Sequence, residues 1–381
     1  MNREYTKWVA MWGNAVSIIE NKPEAYSKNI TLRYPIYCPF DGDKIRLTFD
    51  NYCGTEKIRI ERTTVLADGE FIETSFGGNA YVEILPGEQV TSDEISVQIK
   101  AYETIYISFY LADYTQMRSS TYIQGPLSGG QYSLGDATKT FVLDKDISRK
   151  TNIYYFLSNI SIHTDEDNSA IVCYGDSITA QDWPDYLVLK LKEVGINNRS
   201  VIRRATSGSR ILRQYSCITY ESYGLMGKNR FDHEVPTDGA EMVIIQQGIN
   251  DIIHPVGTDV NPFRPMSDLP TVQELIDGLN WYIGQARAYG YKVVLGTLLP
   301  IEGWRTYADF REELKNAFND YMRACDTVQG VIDFDVATRD NDNPKSFAAG
   351  MDSGDHLHPS AKGYETMAQA ALEYIIKEQI R

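Results

Sequence analysis

From residue 170 onward, short apolar runs alternate with segments of helical periodicity five times over. The runs are Ala170–Tyr174, Ser200–Ala205, Glu241–Gln246, Lys292–Leu298 and Gly330–Phe334. Between and after them, helices are predicted over Trp183 to Val194, over the stripe Val272, Leu275, Ile276, Leu279, Ile283 and Ala286, and from about Tyr307 to Cys325. A last helix is predicted over Ser360 to Gln379, with Met367, Ala371, Leu372, Ile375 and Ile376 inward. Strand–helix alternation of this kind predicts a parallel sheet covered by helices on both faces. In such a sheet, ligands bind at the carboxyl ends of the strands. The residues just after each strand are therefore the first place to look for chemistry.

The preceding 160 or so residues follow a different period. Ile30–Tyr37, Lys44–Phe49, Lys57–Arg62, Glu94–Lys100 and Thr104–Tyr110 alternate apolar and polar residues, with turn residues such as Asp41-Gly-Asp43, Gly77-Gly-Asn79 and Pro86-Gly87 between them. Period two with short spacing predicts antiparallel strands in a β-sandwich of jelly-roll type. Ser119 to Gly135, rich in Gly, Ser and Gln, reads as a long loop. The polar His163–Ser169 reads as a linker, which puts the domain boundary near residue 165: a β-sandwich over 1–165 and an α/β domain over 166–381.

Four short motifs stand at the predicted strand ends. After the first strand comes Gly175-Asp176-Ser177, which puts a serine at a strand-to-helix turn where backbone N–H groups can face an oxyanion. Alone, the tripeptide reads better as Asp176 or Ser177 capping the next helix. After the second strand, Gly208 in Ala205–Arg210 could present its N–H to a ligand or be a plain turn glycine. After the third, Asn250 in Gln247–Asp251 offers a spare side-chain amide or an Asx turn. Near the C-terminus, Asp355-His356-Leu357-His358-Pro359 sets a carboxylate three residues before a histidine, a spacing that orients an imidazole for general-base work. A metal site at Asp355, His356 and His358 is the rival reading, ranked lower because no further cluster completes a shell.

Taken together, these blocks resemble the SGNH (GDSL-type) hydrolases. Gly175-Asp176-Ser177 is similar to the family's first block, Gly208 to its second, Gly248-Ile249-Asn250-Asp251 to its third and Asp355–Pro359 to its fifth, over about residues 168–381. Trp183–Leu187, Gly224–Phe231 and Asp352–Pro359 resemble more narrowly the rumen and gut bacterial xylan-esterase-like subfamily, which sets a β-domain before the hydrolase. Trp8 to Gly13 and Asn29 to Gly54 resemble that β-domain. One departure is Ile178-Thr179-Ala180-Gln181-Asp182, where many relatives carry a glycine two residues after the Ile-Thr.

The resemblance implies a flavodoxin-like, three-layer α/β/α domain with a five-stranded parallel sheet. It also implies roles: Ser177 as nucleophile, His358 as base and Asp355 as its orienting carboxylate. The N–H groups of Ser177 and Gly208 with the Asn250 amide would form the oxyanion hole. No metal or cofactor is implied. The histidines are few. His163 and His233 read as structural or solvated, and His356 competes with His358 for the base but stands too close to Asp355 for the usual pairing. His254 and Trp304 are candidates to line the substrate pocket, Trp304 by stacking on a sugar. Asp176 and Arg210 complete the substrate-side candidates, although Asp176 and Asp251 read better as loop braces than as acids.

The expected function is hydrolysis of acetyl or other short acyl esters on plant-type oligosaccharides such as xylan or mannan fragments. The alternatives are a lipid or thioester acyl hydrolase, and a non-catalytic glycan-binding protein with this fold. With 52 acidic and 37 basic residues and a formal charge of −15, the chain argues against nucleic acid or an anionic membrane surface as partner. The expected partner is an oligosaccharide or small-molecule ester; oligomeric state stays open, a homodimer included. Five cysteines (Cys38, Cys53, Cys173, Cys217 and Cys325), odd in number and widely spaced, read as reduced thiols. The N-terminal residues lack the apolar core of a signal peptide, and no run of about 18 apolar residues exists, so the expected location is cytoplasmic.

Overall fold

In the computed structural model, residues 4–18, 25–214 and 224–380 are described, without the side chains of 379 and 380. The chain divides into two compact units. One comprises Met1–Ala170, Ile196–Arg203 and Thr237–Ala240; the other comprises Ile171–Gly195, Arg204–Pro236 and Glu241–Arg381.

Up to Thr164, the first unit is built from antiparallel strands. One sheet joins Lys7–Gly13, Leu157–Thr164, Gly42–Asp50 and Ile95–Ile99, with Gln89–Thr91 on Gly42–Asp50. A six-stranded sheet joins Ser148–Thr151, Gly130–Leu134, Ile30–Tyr37, Thr104–Leu111, Arg62–Ala67 and Glu70–Glu73 in that order. Their inner faces meet through aromatic rings: Phe49 of one sheet lies edge-on to Phe109 of the other at 5.1 Å, which favours ring packing over a face-to-face sandwich.

Three expectations change here. Lys57–Arg62 is not one strand; Ile58–Ile60 pairs with Val82–Ile84, while Arg62 starts a strand of the six-stranded sheet. Ser119 to Gly135 is not a loop. It holds the strands Ser120–Tyr122 and Gly130–Leu134, and its small residues serve close packing, since a Cβ on Gly130 would come within 2.8 Å of the Tyr34 ring. His163 is not in a linker. It pairs with Trp8 and Lys44 on neighbouring strands, and its Nδ1 lies 2.7 Å from Asp43 Oδ1.

The α/β part has the five strands that the alternation predicts: β1 (Ser169–Gly175), β2 (Arg199–Ala205), β3 (Ala240–Gln246), β4 (Lys292–Gly296) and β5 (Gly330–Ile332). Their order in the parallel sheet is β2-β1-β3-β4-β5, so the chain reverses direction across the sheet between β1 and β3. Such a switch point opens a crevice at the strand carboxyl ends. β1 is buried at every residue, as a central parallel strand covered on both faces must be.

The helices are α1 (Ser177–Ala180), α2 (Trp183–Glu193), α3 (Gly227–Glu234), α4 (Ile249–Ile253), α5 (Val272–Ala288), α6 (Asp309–Ala324), α7 (Phe334–Thr338) and α8 (Ala361–Ile380). They sort into two packed groups, α2 and α7 on α8, and α3 and α6 on α5. In α5, Thr271 and Glu274 form a capping box, and Leu275, Leu279, Tyr282, Ile283 and Ala286 are buried. Tyr282 thus joins the predicted stripe, whereas Val272 and Ile276 sit at its half-buried edge. Among the described residues no helix is long and apolar enough to cross a membrane. Cys38, Cys53, Cys173 and Cys325 carry no disulfide, and Cys217 lies outside the described residues.

Candidate active site

Ser177 is the first residue of α1, directly after β1. Gly175 is needed there for space rather than for a special φ. An added Cβ would lie 2.5 Å from the Gln246 carbonyl oxygen and 2.5 Å from Thr179 Oγ1. Asp176 caps the helix by accepting from the Ile178 N–H at 3.1 Å. At Gln181 the chain turns extended before α2, so the stretch without the family's glycine makes a one-turn helix, a kink and a second helix.

Ser177 Oγ lies 2.8 Å from His358 Nε2, and His358 Nδ1 lies 2.6 Å from Asp355 Oδ2. The other oxygen of Asp355 accepts from the N–H groups of Leu357 (3.0 Å) and His358 (2.8 Å) and from Ser353 Oγ (3.1 Å). Burial pushes the Asp355 carboxyl up. The hydrogen bond from the His358 ring and the two amides outweigh that and hold it well below the usual carboxylate range. A carboxylate on Nδ1 places the imidazole proton there and leaves Nε2 as the acceptor facing the serine.

Gly208 stands at φ +76 in a tight turn closed by the Ser209 N–H on the Thr206 carbonyl. Asn250 follows Gly248, whose φ of +131 is open only to glycine. The Asn250 amide donates to the Ser209 carbonyl at 3.1 Å, which ties the third block to the second and leaves one further N–H on the same nitrogen. Asp251 accepts from the N–H groups of Ile211 (2.8 Å) and Leu212 (3.0 Å). It braces the loop after β2, as its sequence context suggests.

The other predicted site residues lie as follows. Asp176 is fully buried, and Asp176 Oδ2 has no hydrogen-bond partner among the described residues. Its burial, only partly offset by the Ile178 N–H and the charges of His358 and Arg230, pushes its carboxyl up to about 7. The side chain offers a substrate no surface. Arg210 is buried as well. His254 is buried, and burial together with the cations of Arg210, Arg264 and Arg305 holds it well below the ordinary histidine range, hence neutral. Trp304 is half-buried, with the Arg305 guanidinium 4.6 Å from its ring centre. His356 pairs with Asp352, its Nδ1 2.7 Å from Asp352 Oδ2, and not with Asp355. Among the described residues no three His, Cys, Asp or Glu side chains gather as a metal site.

Several residues that hold the site were not singled out as candidates in the sequence. Arg230 on α3 is fully buried. It donates to the carbonyl of Gly175 (2.5 Å), the carbonyl of Arg204 (3.1 Å) and Ser209 Oγ (3.3 Å), and pairs with Glu234. Its guanidinium also lies 4.3 Å from the ring centre of Tyr174. Gln247 Nε2 donates to the same Ser209 hydroxyl at 2.9 Å. Asn319 clasps the chain after β4 through the Leu298 N–H and carbonyl, both at 2.8 Å. The one sequence hint was the Gly224–Phe231 resemblance, which contains Arg230. A cavity of about 520 Å³ opens beside the loop after β2, lined by Ile211, Leu212, Met226, Lys228, Glu274 and Trp281 among others.

No curated protein matches the chain. Among solved structures, a lipase/acylhydrolase from Enterococcus faecalis is 21% identical, with 54% of this chain and 95% of that one covered and a TM-score of 0.39. An acetyl xylan esterase from Geobacillus stearothermophilus is 19% identical over 55% and 95%, with a TM-score of 0.42. Another acetyl xylan esterase is 18% identical over 54% and 99%, at 0.39. The model of the GDSL-like lipase/acylhydrolase family matches residues 173–366, more than half of the 381 residues and a span that holds Ser177, Gly208, Asn250, Asp355 and His358. By that match the chain belongs to the GDSL-like lipase/acylhydrolase family.

Proposed function

We propose that the protein is a serine esterase that removes acetyl or similarly short acyl groups from plant-type oligosaccharides. One observation carries the reaction type: the hydrogen-bonded series Asp355, His358, Ser177. In this reading Ser177 Oγ attacks the ester carbonyl and passes its proton to His358 Nε2. The N–H groups of Ser177 and Gly208 and the Asn250 amide stabilise the oxyanion. His358 then protonates the departing alcohol, leaving an acyl-Ser177. Water attacks the acyl-enzyme, gives its proton to His358, and the acid leaves as Ser177 recovers the proton. No step calls on a metal or cofactor.

The short-acyl part is supported by the polar, Pro/Gly-rich loops after the strands, and the sugar part by the resemblance of Trp183–Leu187, Gly224–Phe231 and Asp352–Pro359. A longer acyl chain is the second reading. Its acyl groove would be the cavity with apolar walls at Ile211, Leu212, Met226 and Trp281, on the loop after β2 that also carries Gly208. A p-nitrophenyl ester chain-length series separates the two, alongside mass spectrometry of acetylated xylo- and manno-oligosaccharides. The proposal expects rates that fall with acyl length and loss of acetyl groups from the sugars. Equal or better rates on long chains would sink it. Labelling of Ser177 by a serine-reactive phosphonate separates both readings from a non-catalytic glycan binder.

A further inference from the structure

The loop that carries Asp355 and His358 holds a second carboxylate–imidazole pair, which the esterase mechanism above does not use. Asp352 Oδ1 accepts from the N–H groups of Gly354 (2.8 Å) and His356 (3.0 Å), and Asp352 Oδ2 lies 2.7 Å from His356 Nδ1. Asp352 is wired as Asp355 is, with one oxygen holding two amides of the turn and the other orienting a ring. The carboxylate keeps the ring proton on Nδ1 and leaves Nε2 as an acceptor. The two imidazoles differ in what Nε2 meets. For His358 it is Ser177. For His356, whose side chain is 50% exposed, Nε2 has no hydrogen-bond partner among the described residues.

The position is specifically built. His356 is held at φ +63, a conformation that L side chains rarely adopt. Its ring fills the space over Gly303, where an added Cβ would lie 2.7 Å from His356 Cγ. Gly303 is itself at φ +94, and the next residue is the half-buried Trp304. An oriented acceptor thus stands packed on the Gly303 backbone, two residues from the base.

We propose that His356 determines specificity for the alcohol half of the ester. Its Nε2 accepts a hydrogen bond from a hydroxyl of a polyhydroxylated leaving group, with the Gly303 backbone beneath the ring holding it in place. Asp352 is the positioning residue. The inference rests on the esterase reading of Ser177. An aryl alcohol has no such hydroxyl to donate, so a site built around this acceptor distinguishes the two leaving groups.

The test measures kcat/KM for an acetylated xylo-oligosaccharide and for p-nitrophenyl acetate, in the wild type and in His356→Gly, His356→Asn and Asp352→Asn. Glycine and asparagine both tolerate the positive φ, and thermal unfolding checks that each variant folds. The sugar-to-aryl ratio is expected to fall about 10- to 100-fold in His356→Gly, chiefly through KM, and by less in Asp352→Asn. An unchanged ratio, or equal loss on both esters, overturns the inference and leaves the esterase reading standing. Hydrolysis of the aryl ester alone by the wild type overturns both the inference and the sugar assignment. Hydrolysis of neither ester by the wild type overturns the esterase reading itself.

Discussion

Arg230 Nη2 donates to the carbonyl oxygen of Gly175 at 2.5 Å, two residues before Ser177. The same guanidinium holds Ser209 Oγ beside Gly208 and the Arg204 carbonyl at the end of β2. One buried cation on α3 therefore sets the spacing between the loop that carries the serine and the loop that carries the glycine.

Replacing Arg230 tests that coupling. Arg230→Met leaves the buried Glu234 carboxyl without its partner, at a cost of about 3–5 kcal/mol. The double change Arg230→Met, Glu234→Leu should recover most of that stability. It should not recover kcat, which falls about 100-fold because the two loops lose their common anchor. Denaturant unfolding and steady-state kinetics on the same preparations read the two effects. Joint recovery of stability and kcat would reduce Arg230 to a packing role.

The hydrogen-bonded series predicts graded losses. Ser177→Ala should abolish acyl transfer and the phosphonate adduct. Asp355→Asn should lower kcat by a factor on the order of 10⁴, because an amide no longer holds the His358 proton on Nδ1. Phosphonate labelling of Asp355→Asn at the wild-type rate would contradict the assigned order.

The proposed mechanism gives the Asn250 amide a second task, the oxyanion, beside its bond to the Ser209 carbonyl. Asn250→Ala should lower kcat about 10²–10³-fold with little change in KM, as expected for a donor used mainly in the transition state. It should also cost about 1 kcal/mol of stability, because the Ser209 carbonyl loses its donor. If KM rises while kcat holds, the amide binds the ground state instead.

Asp176 makes a pH prediction with a definite sign. Its carboxyl is pushed from the ordinary 3.8 up to about 7 by burial. Between those values the folded chain keeps a proton that the unfolded chain releases. Asp176 therefore stabilises the fold fully below about pH 4 and loses that contribution as pH rises toward 7, by at most about 1.4 kcal/mol per pH unit. Asp355 has the opposite sign, and its contribution is lost only in strong acid. Asp176→Asn keeps an oxygen for the Ile178 N–H and removes the titration. Its melting temperature should gain on the wild type steadily from pH 4 to 7; parallel profiles would contradict the shift.

The strand–helix rhythm was legible because each element has one period and one buried face, and those are properties of contiguous residues. β1, α2, β3 and α8 fall within a residue or two of where the periodicity puts them. Ser177, Gly208 and Asn250 stand where the sequence puts them, just after β1, β2 and β3, because each motif is contiguous with its strand. Gly130–Leu134 was misread because its small residues, which look like a loop in the sequence, answer to Tyr34, almost a hundred residues earlier.

The partners of side chains were far less legible. Nothing in Gly224–Phe231 says that Arg230 will meet Gly175, and nothing in Asp352–Pro359 assigns His356 to Asp352, although the spacing did point His358 at Asp355. The sequence by itself determined the two kinds of repeat, the chemistry available at each strand end and the short list of histidines. Only the tertiary structure decided which donors meet which acceptors. Hydrogen bonding depends on ångström-scale approach between distant segments, and that approach is set by the packing of the whole core.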